Sequence, residues 1–283
     1  MDLSTIRARA QFLANDQNAR IATAAQANNL INDALAEWCN ETGELRTENW
    51  YSLSAGQFMI SAPSDAQKIL KASYHKGGFI ELEPVSEAEW MDAGANDLTA
   101  GSGRPSIIKI EGENAAYYFR VFPSVSTASS TSTISDAGGI SASDATIGVT
   151  DVTQFRSPGT VVLIESEKIL VQKISSPSFT QCIRGFGNTT AATHADATAI
   201  TELDLMVLYS RQPATLSADG DVPEIDARWH KYISYYVVAQ ILEADGRSPA
   251  SMMAKWEHVL RRAKSMVRER NARTPSYIIR SMY

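Results

Sequence analysis

Two helical stripes of apolar residues, joined by a link too short for anything but a reversal, constrain this chain more than any other feature. Ile225, Trp229, Ile233, Val237 and Ile241 recur every four residues behind Pro223. Met252, Trp256, Val259, Ala263 and Met266 follow at alternating spacings of four and three, a seam of coiled-coil type. Gly246 ends the first stripe, and Ser248-Pro249 opens the second with a cap residue and a proline suited to the first helical position. So short a connection predicts an antiparallel helical hairpin from Ile225 to Asn271.

The start of the chain shares that period. Ile31, Leu35 and Trp38 extend a stripe begun by Ile21, Ala24 and Ala27, with Gly43 as the stop. A shorter helix, Leu3 to Leu13, precedes it across the polar Asn15 to Asn18. From Trp50 the period becomes two. Short strands are expected at Trp50-Tyr51, Gln57 to Ile60, Lys68 to Tyr74, Phe79 to Glu83, Ser106 to Glu111 and Ala115 to Phe122. Gly77-Gly78 supplies a hairpin turn. Ser86 and Glu89 form a capping box opening a short helix with Trp90 and Met91 on its buried side.

Between Ser124 and Ser135 nine of twelve residues are Ser or Thr, a linker or an exposed edge. Beyond lie further β-type runs at Ala145 to Val149, Thr160 to Ile164, Lys168 to Lys173 and Phe179 to Ile183. Near Leu203 the earlier style resumes, and LDLMVLYSRQP reads as a partner strand for Ala115 to Phe122. The β-rich stretch is therefore expected as an insertion into a hairpin.

Chemistry narrows by exclusion. The formal charge of −6 is uneven: Lys255 to Tyr283 carries eight Lys/Arg against two Asp/Glu, or +6, which leaves −12 on the rest. Such a basic end on an acidic body suits nucleic acid or an acidic protein. No aromatic residue interleaves with Arg261, Arg262, Lys264, Arg268, Arg270 and Arg273, which argues against base stacking; the bland reading is a solvated helix face. His75, His194, His230 and His258 lie on different elements without metal or catalytic spacing. Asp219, Asp221, Glu224 and Asp226 read as a capping cluster at a helix start. Cys39 and Cys182 make no disulfide or metal framework, and no phosphate loop or nucleophile signature is present. Neither an enzyme nor a cofactor or metal is expected. The longest aliphatic run, Val161 to Ile164, cannot span a bilayer, and the charged start is unlike a signal peptide, so no membrane partner is expected.

Taken together, LINDALAEW near the start and VLYSRQPATLSADGDVPEIDARWHKYISYYVVAQILEADG before a basic helix resemble the head-to-tail adaptor (connector) proteins of tailed bacteriophages. The likeness covers about residues 1–122 and 203–283 and is sharpest from Val222 to Gly246. The intervening stretch separately resembles small β-modules of phage structural proteins, through Gly159 to Ile164 and Cys182 to His194.

The resemblance implies a ring, usually of twelve copies, that docks under the portal, extends the DNA channel and offers a platform for the tail. Its implied partners are the portal ring, tail nozzle or tail tube proteins, its own copies, and tail fibres through the insertion. Genomic DNA would pass without sequence-specific binding, past an acidic lining that keeps phosphates from sticking. The implied location is the virion neck, after synthesis in the host cytoplasm. The implied fold class is α+β: a mainly helical adaptor bundle with short antiparallel strands and an inserted all-β module. Its domains are 1–123 with 203–273, an insertion at 124–202 and a docking tail at 274–283. The portal-docking set would be Arg273, Pro275, Tyr277, Ile278, Ile279, Arg280, Met282 and Tyr283, a terminus carrying too much apolar surface to stay bare. The hairpin set is Ile225, Trp229, Ile233, Val237, Ile241, Met252, Trp256, Val259 and Met266, with Arg261, Arg262, Lys264, Arg268 and Arg270 as a basic contact face. A tail-completion or nozzle subunit is the alternative. A glycan-binding module or hydrolase on the insertion is the alternative of another class, disfavoured because the only aromatics from Asp136 to Ile200 are Phe155, Phe179 and Phe186.

Overall fold

A computed structural model describes residues 1–76, 78–94, 102–113, 116–156 and 159–273, without the side chains of 113, 116 and 271–273. The chain forms two compact units. Of the described residues, one holds Met1–Arg46, Asp65–Gln67 and those from Ser210 on; the other holds those within Thr47–Ser64 and Lys68–Tyr209.

The first unit is helical. Helix α1 (Leu3–Ala14) is capped by Asp2, which accepts from Thr5 N at 2.8 Å. Helix α2 (Ala24–Thr42) starts at a Thr23–Gln26 capping box and stops at Gly43, whose φ of +59° a side chain would resist. The polar link between them turns on Asp16, 3% exposed, which accepts from Arg20, Ile21 and Ala22 N. Burial alone would raise its pKa; those three amides pull it below the usual value.

The second unit is β-rich, apart from α3 (Glu87–Asp92) with its Ser86–Glu89 capping box. Strands β1 (Arg46–Tyr51), β2 (Met59–Ala62), β3 (Ala66–Tyr74) and β4 (Ile80–Pro84) precede α3. After it come β5 (Ser102–Gly103), β6 (Ile107–Glu113), β7 (Ala116–Phe122), β8 (Ser124–Val125), β9 (Thr131–Thr133) and β10 (Ile147–Gly148). The remainder are β11 (Thr160–Ile164), β12 (Glu167–Ser175), β13 (Ser178–Ile183), β14 (Ala199–Leu203) and β15 (Leu205–Arg211). A seven-stranded sheet runs β1-β15-β3-β4-β6-β7-β2, a six-stranded sheet runs β10-β13-β12-β11-β14-β9, and β5 pairs with β8. The β4–β6 pairing is parallel, as a crossover containing α3 requires, whereas β3–β4, β6–β7 and β2–β7 are antiparallel. In the six-stranded sheet Ile134, Val149, Val162, Ile164, Ile169, Val171, Phe179 and Ile200 form one apolar core.

Several expectations are corrected. The chain is not a mainly helical bundle: among the described residues strand accounts for 32% and helix for 29%, and all the strands but β5 and β8 join in two curled sheets. Helical stripes are conspicuous because their neighbours are local in sequence, whereas short strands reveal little until distant partners complete the ladder. Leu205–Arg211 does not pair with β7, which already has β6 and β2 at its sides; it lies between β1 and β3. Met91 is 55% exposed while Trp90 is 1% exposed: consecutive helical residues stand about 100° apart, and in this short helix only Trp90 is turned inward. The helix expected from Pro223 begins only at His230, after turns that occupy the acidic segment.

Candidate functional site

The surface singled out by the sequence belongs to the helical unit, and it starts from the pairing of α4 (His230–Ala244) with α5 (Ala250–Arg273). Ile233, Val237 and Ile241 of α4 are buried with Trp256 and Val259 of α5, while Met252 and Met266 are half-buried against the same core. Ile225 and Trp229 precede α4 yet reach that core too. Trp38 of α2 seats the hairpin: its ring centroid lies 5.5 Å from that of Trp229 and 5.5 Å from that of Trp256. Its Nε1 donates to the buried Glu44 at 2.9 Å, and Trp256 Nε1 donates to Glu37 at 3.2 Å, so neither indole is left with an unmet donor.

The acidic stretch before α4 holds this geometry by closing loops. Glu224 takes both Arg211 guanidinium nitrogens at 2.8 and 3.0 Å and Ala214 N at 2.9 Å, and that guanidinium keeps its carboxyl below the usual range. Asp221 accepts from Ser217 N and Ala218 N, each at 2.7 Å, and Asp219 pairs with Arg7 at 2.9 Å. Asp226 accepts from Arg228 N at 3.0 Å. The α4 N-cap is Trp229, with no side-chain cap bond, so the carboxylates fix the approach to the helix rather than its first turn.

With the apolar stripe of α5 consumed inside, its other face carries cations. Arg261, Arg262, Arg268 and Arg270 are exposed and Lys264 is half-buried. Lys264 bonds Glu41 of α2, and Arg261 pairs with Glu257 at 3.8 Å, an exposed contact worth only a few tenths of a kcal/mol, about 0.3 to 0.5. Arg270 acts electrostatically on Asp226 and Arg46. Among the described residues Arg262 and Arg268 have no ion pair or hydrogen bond. Arg273 ends α5 with its side chain outside the described residues; Pro275, Tyr277, Ile278, Ile279, Arg280, Met282 and Tyr283 lie wholly outside them.

The histidines are structural where the geometry is clear. His230 is 2% exposed, donates through Nε2 to the Ile225 carbonyl at 2.9 Å and sets Nδ1 3.0 Å from the Met1 amine. His194 lies between Glu165 and Glu167, and His75 Nε2 is 2.9 Å from Ser73 Oγ. Among the described residues no group of three or more His, Cys, Asp or Glu could hold a metal ion. No described helix is long and apolar enough to cross a membrane.

Sequence reasoning missed one component. It sought aromatics within the cationic run of α5, but the fold brings them from beside and within α4, at Trp229, Tyr232 and Tyr235. Their i, i+3, i+6 spacing is the signal, and it acquires meaning only once the two helices are paired.

The family model described as SU10 adaptor protein matches residues 1–279. No curated protein matches the chain.

Proposed function

The chain belongs to the SU10 adaptor protein family, and from that premise we propose a head-to-tail adaptor that closes into a twelve-copy ring on the portal. A phage adaptor is a structural component of the virion that associates with other head and tail proteins. In the proposed arrangement the ring extends the DNA channel, and residues 124–202 act as an inserted module reaching toward tail fibres or adjacent copies. Residues 274–283 are the docking tail.

The observation that carries this reading is the continuity of α5 with that tail. A helix fastened to the core by Trp256 and Val259 turns exposed Arg262 and Arg268 outward and leads into TPSYIIRSMY. Five of those last ten residues are large and apolar: Tyr277, Ile278, Ile279, Met282 and Tyr283. Such a segment gains most by burial in a companion surface, and neighbouring cations would orient it toward an acidic one.

The test is to mix purified full-length chain, or a chain stopped after Arg273, with portal rings and to image the mixtures. Rings of full-length chain on portals, with none from the shortened chain, are the expected result. Equal decoration by both chains would refute the docking role of the tail.

A further inference from the structure

A groove of 440 Å³ lies between α4 and α5 in the helical unit. One wall is an aromatic ladder. The centroids of Trp229 and Tyr232 are 6.2 Å apart and those of Tyr232 and Tyr235 5.7 Å apart, all tilted. Each ring has a cation over it: Arg228 on Trp229 at 5.9 Å, Lys231 on Tyr232 at 4.8 Å and Lys255 on Tyr235 at 5.8 Å. The other wall is the face of α5 bearing Lys255, His258 and Arg262, all exposed. Among the described residues no carboxylate lines the groove.

We propose that this groove is a docking site for an acidic segment of a partner protein, one whose carboxylates alternate with aliphatic or aromatic side chains. This goes beyond the portal-docking tail, because the groove and the tail are different parts of the chain. The occupant follows from complementarity. The ladder offers amphipathic rings, whose faces take apolar side chains while the Tyr232 and Tyr235 hydroxyls can meet polar groups. Arg228 is already paired with Asp226 at 2.6 Å, but among the described residues Lys231, Lys255 and Arg262 have no ion pair, so a carboxylate entering there finds a partner and a cationic or neutral segment does not. The chain's own residues 274–283 fit poorly, since they bring Arg280 and no Asp or Glu. Duplex nucleic acid satisfies the cations but cannot lay its paired bases on the faces of these tilted rings.

The test uses full-length chain and fluorescent synthetic peptides of twelve residues. One alternates glutamate with leucine and phenylalanine, a second replaces the glutamates by lysine, and a third replaces the apolar residues by serine. The first should bind at least about tenfold more tightly than either other peptide. Tyr232→Ser and Arg262→Glu should each weaken it by about tenfold or more, while Tyr232→Phe retains it. Circular dichroism checks the fold of each variant, and Arg262, being exposed, can be reversed without disturbing the core. Equal binding of the serine peptide would reduce the site to bulk charge attraction and overturn the proposal. So would full competition by a duplex oligonucleotide, or undiminished binding to the Arg262→Glu chain. A chain stopped after Arg273 should bind the acidic peptide as before, which separates this site from the tail.

Discussion

Arg184 grips Glu167 with two teeth: Nε donates to Oε1 at 2.9 Å and Nη2 to Oε2 at 2.8 Å, on a carboxylate with no solvent exposure. The same carboxylate accepts from Gly185 N at 2.8 Å and Ala192 N at 3.1 Å, and His194 Nε2 sits 2.8 Å away. A lone buried charge would be costly, but this one is enclosed by donors, and it ties the loop after β13 back to β12.

Removing a tooth should therefore be expensive. Arg184→Met leaves Glu167 buried and underpaired, with an expected loss of about 3 to 5 kcal/mol in urea unfolding. A double change, Glu167→Leu with Arg184→Met, should recover part of that loss.

Acid should loosen the same knot. Burial alone would raise the pKa of Glu167, but Arg184, His194 and the two amides outweigh it and hold it at about 2, against an ordinary 4.5. The unfolded chain thus takes up the proton first, so the stabilisation is complete above pH 4.5 and drains as pH falls toward 2. It amounts to about 3 kcal/mol. Chemical unfolding at stepped pH should show this loss, and in Glu167→Gln the step should vanish.

Asp204 and His75 should compensate one another. Burial, then the charge of Glu202, pushes Asp204 up to about 6, and neither of its oxygens has a well-formed hydrogen bond. Burial, then Arg156, pushes His75 down to about 4. The folded chain keeps a proton on Asp204 that the unfolded chain releases near 3.8, so this group loses stability as pH rises through 4 to 6. His75 has the opposite slope: the unfolded imidazole charges first, and stability is lost as pH falls from 6.5 toward 4. Asp204→Asn should raise stability at pH 7 by about 2 to 3 kcal/mol and expose the His75 slope in melts between pH 4 and 7. An unchanged profile would refute the raised pKa of Asp204.

The two thiols should be silent. Burial, reinforced at Cys39 by Glu44, raises Cys39 to about 12; burial raises Cys182 to about 11. Iodoacetamide at pH 8 should label neither in the native chain and both in urea, read by mass.

Trp38 carries the packing of the helical unit. Trp38→Ala removes a side chain with no exposure that contacts two other indoles, with an expected cost of about 3 to 5 kcal/mol and a changed tryptophan emission.

How much of this was legible in the chain follows from the range of each interaction. Helix faces repeat within four residues, so Trp38, Ile233 and Trp256 betray their burial locally. Sheet neighbours do not: Leu205–Arg211 has the same alternation whichever strands flank it, and only the fold puts it between β1 and β3. Summing many such short strands overturned the expected helical predominance. The buried carboxylates were partly readable. Glu167 has the parity of Ile169 and Val171, and Glu202 that of Ile200, so both stand on core-facing positions where an acid demands donors. The acidic segment Asp219 to Asp226 was read as a helix start; its side chains instead close the turns before α4. The continuation beyond Arg273 lies outside the described residues.

Strand β14 ends at Leu203 in the six-stranded sheet and β15 begins at Leu205 in the seven-stranded one, with Asp204 alone between them. A junction of one residue has no slack. Tension drawn along β14 from that junction would load the β11–β14 ladder along its length, so its bonds must shear together instead of unzipping one by one. Pulled this way, the chain behaves as a taut cable, and the Lys76–Glu202 contact beside the junction is where it is anchored.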